Sequence, residues 1–239
     1  MAKIKNSKPK NSSGSYTRLF DNKELGDLIT KVHSTAISNG AELENIVLQM
    51  IDSNSIITDC DKFLEEYKRT GNNSNQDIVK LIPKDVLKKS KKLKPQKNPN
   101  DKNFEPDFVI LKIDTNQECC YIIELKDGFT FDTKKVIGER QHLELFESYI
   151  AKQIPYSTQI KFCCFNEEDK EKIKVGLKSA FTIDEIMTGK EFCDLIKINY
   201  NDIIELRKLD VAENLKYFVT ELMCIKEVRE QIINILKNN

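Results

Sequence analysis

Pro106-Asp107 and Glu124-Leu125-Lys126 are the residues whose types and spacing best suit chemistry, with sixteen residues between the two acids. Asp107 opens an apolar run that ends at Ile113, and Glu124-Leu125-Lys126 closes a second run that starts at Cys119. The polar break Asp114-Thr115-Asn116-Gln117 between them predicts a β-hairpin. Opposed residues of an antiparallel hairpin share a face, so loop parity decides the arrangement. An even loop (Thr115-Asn116, or Thr115 to Glu118) sets Asp107 across from Glu124 or from Lys126, whereas an odd one sets it across from Leu125 and scatters the polar groups. Two carboxylates and a lysine are costly to bury at the ends of apolar strands, and a divalent cation would neutralise the acids. Hard oxygen donors favour Mg2+ or Mn2+ over zinc, and a metal so held activates water for hydrolysis. The alternative is a Glu124–Lys126 or Asp107–Lys126 ion pair that merely ends the strands in solvent.

Glu-x-Lys by itself carries little information, because Glu66-Tyr67-Lys68 and Glu168-Asp169-Lys170 repeat it. The Glu124 copy differs in ending an apolar strand and in following, at hairpin distance, the chain's single Pro-Asp. Asp132-Thr133-Lys134, in a possible short strand from Phe129 to Thr133, is a rival acid-x-lysine without an upstream Pro-Asp.

Several elements are expected to position these residues. An amphipathic helix is expected from Lys23 to about Thr35. A second begins after Asn39-Gly40, with Leu43, Ile46, Val47, Met50 and Ile51 as its apolar stripe. A third, about Asp59 to Arg69, ends in Thr70-Gly71-Asn72-Asn73-Ser74. Lys84 to Lys102 holds eight lysines against two acids, with Pro95 and Pro99, and reads as a mobile, solvated basic segment. Both hairpin strands are apolar on both faces, as at the centre of a sheet covered on each side. Leu143, Phe146 and Ile150 mark a helix from Gly138 to about Gln153, before Pro155, and Thr158 to Phe165 reads as a strand. Helices are expected near Ile183 to Met187, Glu191 to Leu195 and Asp202 to Lys208, then a long one from Val211 to Leu236.

In these residues and this order, the chain resembles the PD-(D/E)xK nuclease superfamily and, within it, the type II restriction endonucleases. The resemblance covers roughly residues 41 to 166 and implies an α/β fold: a restriction-endonuclease-like core with a central mixed β-sheet flanked by helices, followed by a helical C-terminal third. No pattern marks the first core strand that the family carries ahead of the Asp107 position, which would fall in or near the lysine-rich stretch. The resemblance implies that Asp107 and Glu124 hold Mg2+ (with Mn2+ as a substitute), that the Leu125 carbonyl adds a ligand, and that Lys126 orients or deprotonates the attacking water. Family members often add an acid from the upstream helix. Glu44 borders that helix's apolar stripe, while Glu42 lies on the opposite flank, and Glu44 is the choice. Gln141 matches a position sometimes set near the scissile phosphate. Lys134, Lys135 and Arg140 surround the adjoining turn and could contact phosphates. The implied partners are double-stranded DNA at a short, palindromic site, a second copy of the chain and a cognate DNA methyltransferase.

Composition narrows the other classes. The 239 residues suffice for one large domain, read here as 16–239 with a helical part at 180–239, after a disordered basic arm at 1–15 that has four lysines and no acid in its first ten residues. Thirty-eight basic and 38 acidic residues leave no global field to attract nucleic acid, so any such affinity must be local. The absence of an apolar run of membrane length or of a secretory leader predicts a cytoplasmic protein without a membrane partner. Seven cysteines, an odd number with two vicinal pairs, read as reduced core thiols. With only His33 and His142, histidine-centred catalysis has little material. The rival functions are a structure-specific repair or recombination nuclease and a non-catalytic nucleic-acid-binding module on the same fold.

Overall fold

The computed structural model describes residues 3–6, 14–70, 78–93, 105–113, 118–209 and 211–238. The chain divides into two units, Glu44–Tyr200 and a helical unit formed by Met1–Leu43 with Asn201–Asn239.

Five strands form the sheet of the first unit among the described residues: β1 (Ile78–Pro83), β2 (Phe108–Ile113), β3 (Glu118–Lys126), β4 (Ser157–Cys164) and β5 (Ile186–Thr188). They lie side by side in that order. β1, β2 and β3 are antiparallel neighbours, while β4 and β5 join in parallel. The sheet is therefore mixed, and β2 and β3 are interior strands buried on both faces, as their unbroken apolar runs demand. Ile113 pairs with Glu118, which leaves an even four-residue break and matches the first of the two even-loop arrangements. The break itself, 114–117, lies outside the described residues.

One face carries Val109, Leu111, Ile113, Cys120, Ile122, Phe162 and Cys164 into the main core. α6 (Thr133–Ile150) crosses this face between β3 and β4, burying Val136, Leu143, Phe146 and Ile150. Its start precedes the expected Gly138 because Asp132 caps it, accepting hydrogen bonds from the Lys134 and Lys135 amides. Asp132-Thr133-Lys134 is thus a helix cap and no strand runs from Phe129 to Thr133. α4 (Cys60–Thr70) adds Cys60 and Leu64 to the same core. α8 (Gly189–Leu195) meets the opposite face, where Phe192 and Phe108 have ring centroids 5.9 Å apart.

A strand does precede Asp107, as the resemblance implies: β1 runs just ahead of the lysine-rich stretch. Lys84 to Leu93 are also folded, contrary to the solvated-loop expectation: α5 (Lys84–Leu87) follows β1 directly, and Leu87 and Leu93 are buried. Asp61 of α4 anchors this turn by accepting hydrogen bonds from the Ser90 hydroxyl and the Lys91 and Lys92 amides. The remainder of the stretch, with Pro95 and Pro99, lies outside the described residues, as does the breaker Gly71-Asn72-Asn73-Ser74.

Two further expectations are corrected, and one helix was not expected at all. The helix expected near Ile183 to Met187 is a turn leading into β5, whose three residues are too few to display a period. α7 (Lys170–Gly176), capped by Asp169, had no counterpart in the sequence reading. Asn39-Gly40 does not break the upstream helix, because α3 (Lys23–Met50) runs through it. An interior glycine costs about 1 kcal/mol, too little to end a helix anchored by buried Leu43 and Val47.

In the second unit, α1 (Lys3–Asn6) is a single turn within the segment expected to be an unordered arm. Its Ile4 is buried and its Ile4 amide donates to Asn214 Oδ1 at 3.3 Å. Residues 7–13 of that segment lie outside the described residues. After α2 (Gly14–Phe20) and α9 (Tyr200–Lys208), the long terminal helix expected from Val211 to Leu236 is two, α10 (Val211–Cys224) and α11 (Lys226–Asn238), interrupted at buried Ile225. Among the described residues no helix is long and apolar enough to cross a membrane. The seven cysteines are free thiols, six of them buried.

Candidate active site

Continuing the strand registers by one residue places Lys84, Asp107 and Glu124 side by side in one cross-strand row at the end of β1, β2 and β3. Opposed residues share a face. Lys126, two residues beyond Glu124, projects from that same face. The backbone secures the row: the Lys84 amide donates to the Asp107 carbonyl at 3.0 Å, and the Leu125 amide donates to Asp107 Oδ2 at 2.9 Å. Asp107 and Glu124 are 2% and 5% exposed, so both acids are held out of bulk water.

Each acid carries a lysine. Lys84 Nζ donates to Asp107 Oδ1 at 2.7 Å, and Lys126 Nζ donates to Glu124 Oε1. Lys126 Nζ also lies 3.6 Å from Glu139 of α6. Burial, and next the Asp107 charge, push the Glu124 carboxyl up to about 7. Burial and Asp107 likewise push Glu44 upward, against Lys84 and Lys126, so Glu44 lies within electrostatic reach of Asp107 and both lysines. Burial disfavours the ammonium of Lys126, but Glu124 and then Asp107 outweigh it and hold this lysine firmly protonated. Lys84 is raised by the same balance, with Asp107 as its main partner. In this arrangement Lys126 acts as a cation and donor, a form suited to orienting water or stabilising developing negative charge.

The structure thus brings together Asp107, Glu124 and Lys126, with Glu44 nearby, while Glu42 is turned to an ion pair with Lys3. Lys134 and Lys135 are exposed in the first turn of α6, and Gln141 is exposed two turns on. Arg140 points elsewhere: its guanidinium makes a bidentate pair with Glu185 at 2.8 and 2.9 Å and also bonds Glu144 and the Ala180 carbonyl.

Two site residues escaped the sequence reading. Lys84 was hidden as the first of eight lysines. Glu139 occupies the inward stripe Val136, Glu139, Leu143, Phe146, Ile150, and that spacing could have exposed it as a charge aimed at the sheet.

The donor set suits a hard divalent cation: two opposed, buried carboxylates, one of them with its carboxyl pushed up by burial first and by the other's charge second. Among the described residues no group of three His, Cys, Asp or Glu stands at ligating distance. Backbone oxygen and water would have to complete the shell, as is usual for Mg2+.

No protein-family model matches the chain, and no solved structure does. The chain is 41% identical over 233 residues to the type II restriction enzyme HhaII of Haemophilus parahaemolyticus, an alignment that spans 97% of this chain and 98% of that enzyme. With likeness of that depth along nearly its whole length, and an Asp-Glu-x-Lys row on a mixed sheet, the chain belongs to the type II restriction endonucleases of the PD-(D/E)xK kind.

Proposed function

We propose that this protein hydrolyses phosphodiester bonds of double-stranded DNA at a short, palindromic sequence, with Mg2+ as cofactor and Mn2+ as a substitute. The convergence of Asp107, Glu124 and Lys126 on one face at a strand end carries this reading. Asp107, Glu124 and the Leu125 carbonyl would hold the cation, with Glu44 as the helix acid completing its surroundings. When bound, the cation neutralises the two acids, lowers the pKa of water and offsets charge on the phosphate.

The chain's own groups do the remainder. Lys126 orients the attacking water through its ammonium and stabilises the negative charge that water acquires. Glu139 steadies that ammonium from α6, at 3.6 Å. Lys134 and Lys135 supply local positive charge to the DNA backbone, which a net charge of zero does not preclude, and Gln141 lies on the same helix near the scissile phosphate. Arg140, already engaged by Glu185, positions α6 against the turn at Ala180. Two symmetric strand cuts call for two sites, so the acting species is a homodimer, and a cognate methyltransferase would protect the host's own copies of the sequence.

Incubation of purified protein with Mg2+ and long duplex DNA tests the reading: discrete bands are expected, and chelator should abolish them. A smear, or cutting confined to branched junctions, would replace it with a repair nuclease. Absence of cutting across varied substrates would replace it with a binding module.

A further inference from the structure

Lys126 accounts for one of the two ammonium groups that pair with the acids of the row, and nothing in the mechanism above uses the other. Lys84 is the residue where β1 ends and α5 begins, and its backbone is tied to Asp107 as firmly as its side chain is. Asp107 Oδ2 accepts from the Leu125 amide, and the other carboxylate oxygen, Oδ1, is the one that Lys84 Nζ holds at 2.7 Å and that a cation would share or take over. Asp107 is 3% exposed in its side chain, whereas that of Lys84 is 31% exposed. The lysine therefore reaches in from the open side of the site. A lysine serving only to neutralise a buried acid gains nothing from that exposure, since solvent weakens the pair. An ammonium that must first hold Asp107 and later meet an incoming phosphate needs it.

We propose that Lys84 is a second working lysine of this site: it holds Asp107 Oδ1 in the metal-free protein, yields that oxygen to the divalent cation, and then contacts a non-bridging oxygen of the DNA phosphate. The proposal rests on the nuclease reading and deepens it. The charges are accounted for: the arriving dication takes the place of the ammonium at Asp107 and offsets the Glu124 carboxylate with its second charge, while the released ammonium meets the phosphate anion. It also keeps the acidic row neutralised before metal arrives, when two buried carboxylates would otherwise repel each other.

The test uses full-length Lys84→Met, which keeps length and loses charge, with Lys84→Arg and the wild type. Calcium titration calorimetry of the DNA-free proteins, thermal melting, and single-turnover cleavage at saturating Mg2+ are read together. Lys84→Met should bind Ca2+ several-fold more tightly, since a competing cation is gone, yet cleave at least about tenfold more slowly when metal-saturated. Lys84→Arg should retain most of the cleavage rate, because guanidinium also pairs with phosphate. Cleavage by metal-saturated Lys84→Met at the wild-type rate would overturn the proposal, as would weaker Ca2+ binding, which would mark Lys84 as scaffolding for Asp107. Should Lys84→Met fail to fold, Lys84→Gln, which can still donate to Asp107, faces the same two criteria. A wild type that cuts no DNA would end the nuclease reading itself, whereas a cutting wild type with an indifferent Lys84 variant would end only this proposal.

Discussion

The Leu125 amide donates to Asp107 Oδ2 across the β2–β3 hairpin at 2.9 Å, so the carboxylate proposed to hold metal also completes a backbone hydrogen bond in a dry part of the sheet. Replacing Asp107 with alanine leaves that amide unsatisfied, a loss of about 1–3 kcal/mol, and takes from Lys84 its partner, while Glu124 is freed of a like charge. Asparagine can still accept from Leu125. Denaturant melts should therefore show Asp107→Asn more stable than Asp107→Ala, while both lose cleavage. Without metal, both should bind duplex DNA more tightly than the wild type in filter-binding assays, since a negative charge beside the phosphate is gone.

Lys126 separates chemistry from architecture. Loss of a positioned group of this kind lowers rates by roughly a hundredfold or more, and Lys126→Ala is expected to show that loss in single-turnover cleavage while retaining fold and DNA binding in calcium. Near-normal cleavage by folded Lys126→Ala would reduce the motif to a structural ion pair.

The titration of Glu124 has a definite sign. Its folded carboxyl is raised from an ordinary 4.5 to about 7, by burial first and by Asp107 second, so the folded protein takes up this proton more readily than the unfolded chain. The associated stability is fully present below about 4.5 and is lost as the pH rises to 7 and beyond. Melting of the metal-free protein between pH 5 and 8 should show this decline, flattened in Glu124→Gln. Cation binding competes with the same proton, so Ca2+ affinity should increase through this range and level off above it.

Phe146 provides the contrasting case, a fully buried α6 side chain on the core face of the sheet. Phe146→Ala should cost about 3–5 kcal/mol in equilibrium unfolding. Cleavage per folded molecule should stay close to wild type, which distinguishes loss of packing from loss of chemistry.

What the sequence disclosed follows from how strongly each signal is written locally. The hairpin and its parity were legible because Phe108–Ile113 and Glu118–Lys126 are long apolar strands with polar punctuation, and side-chain period fixes which residues share a face. α5 and Lys84 were not, because charge composition masked the buried leucines at 87 and 93 and the anchoring role of Asp61, which comes from α4. β5 is defined by pairing with β4, a tertiary fact that three residues cannot announce. The continuity of α3 and the division at Ile225 show the same limit from the helical side: a period locates a face, while packing decides where the element stops.

β3 takes its two neighbours by routes of very different length. Its pairing with β2 closes over a four-residue break, whereas its pairing with β4 waits for the whole of α6 to cross the sheet. Asp107 and Glu124 can therefore meet while still hydrated, and their dehydration belongs to the late, long-range docking step, where loop closure is also slowest. Dehydrating the row is therefore expected to slow refolding. Asp107→Asn should raise the folding rate in stopped-flow measurements more than it lowers the unfolding rate, and divalent cations should speed the same step in the wild type.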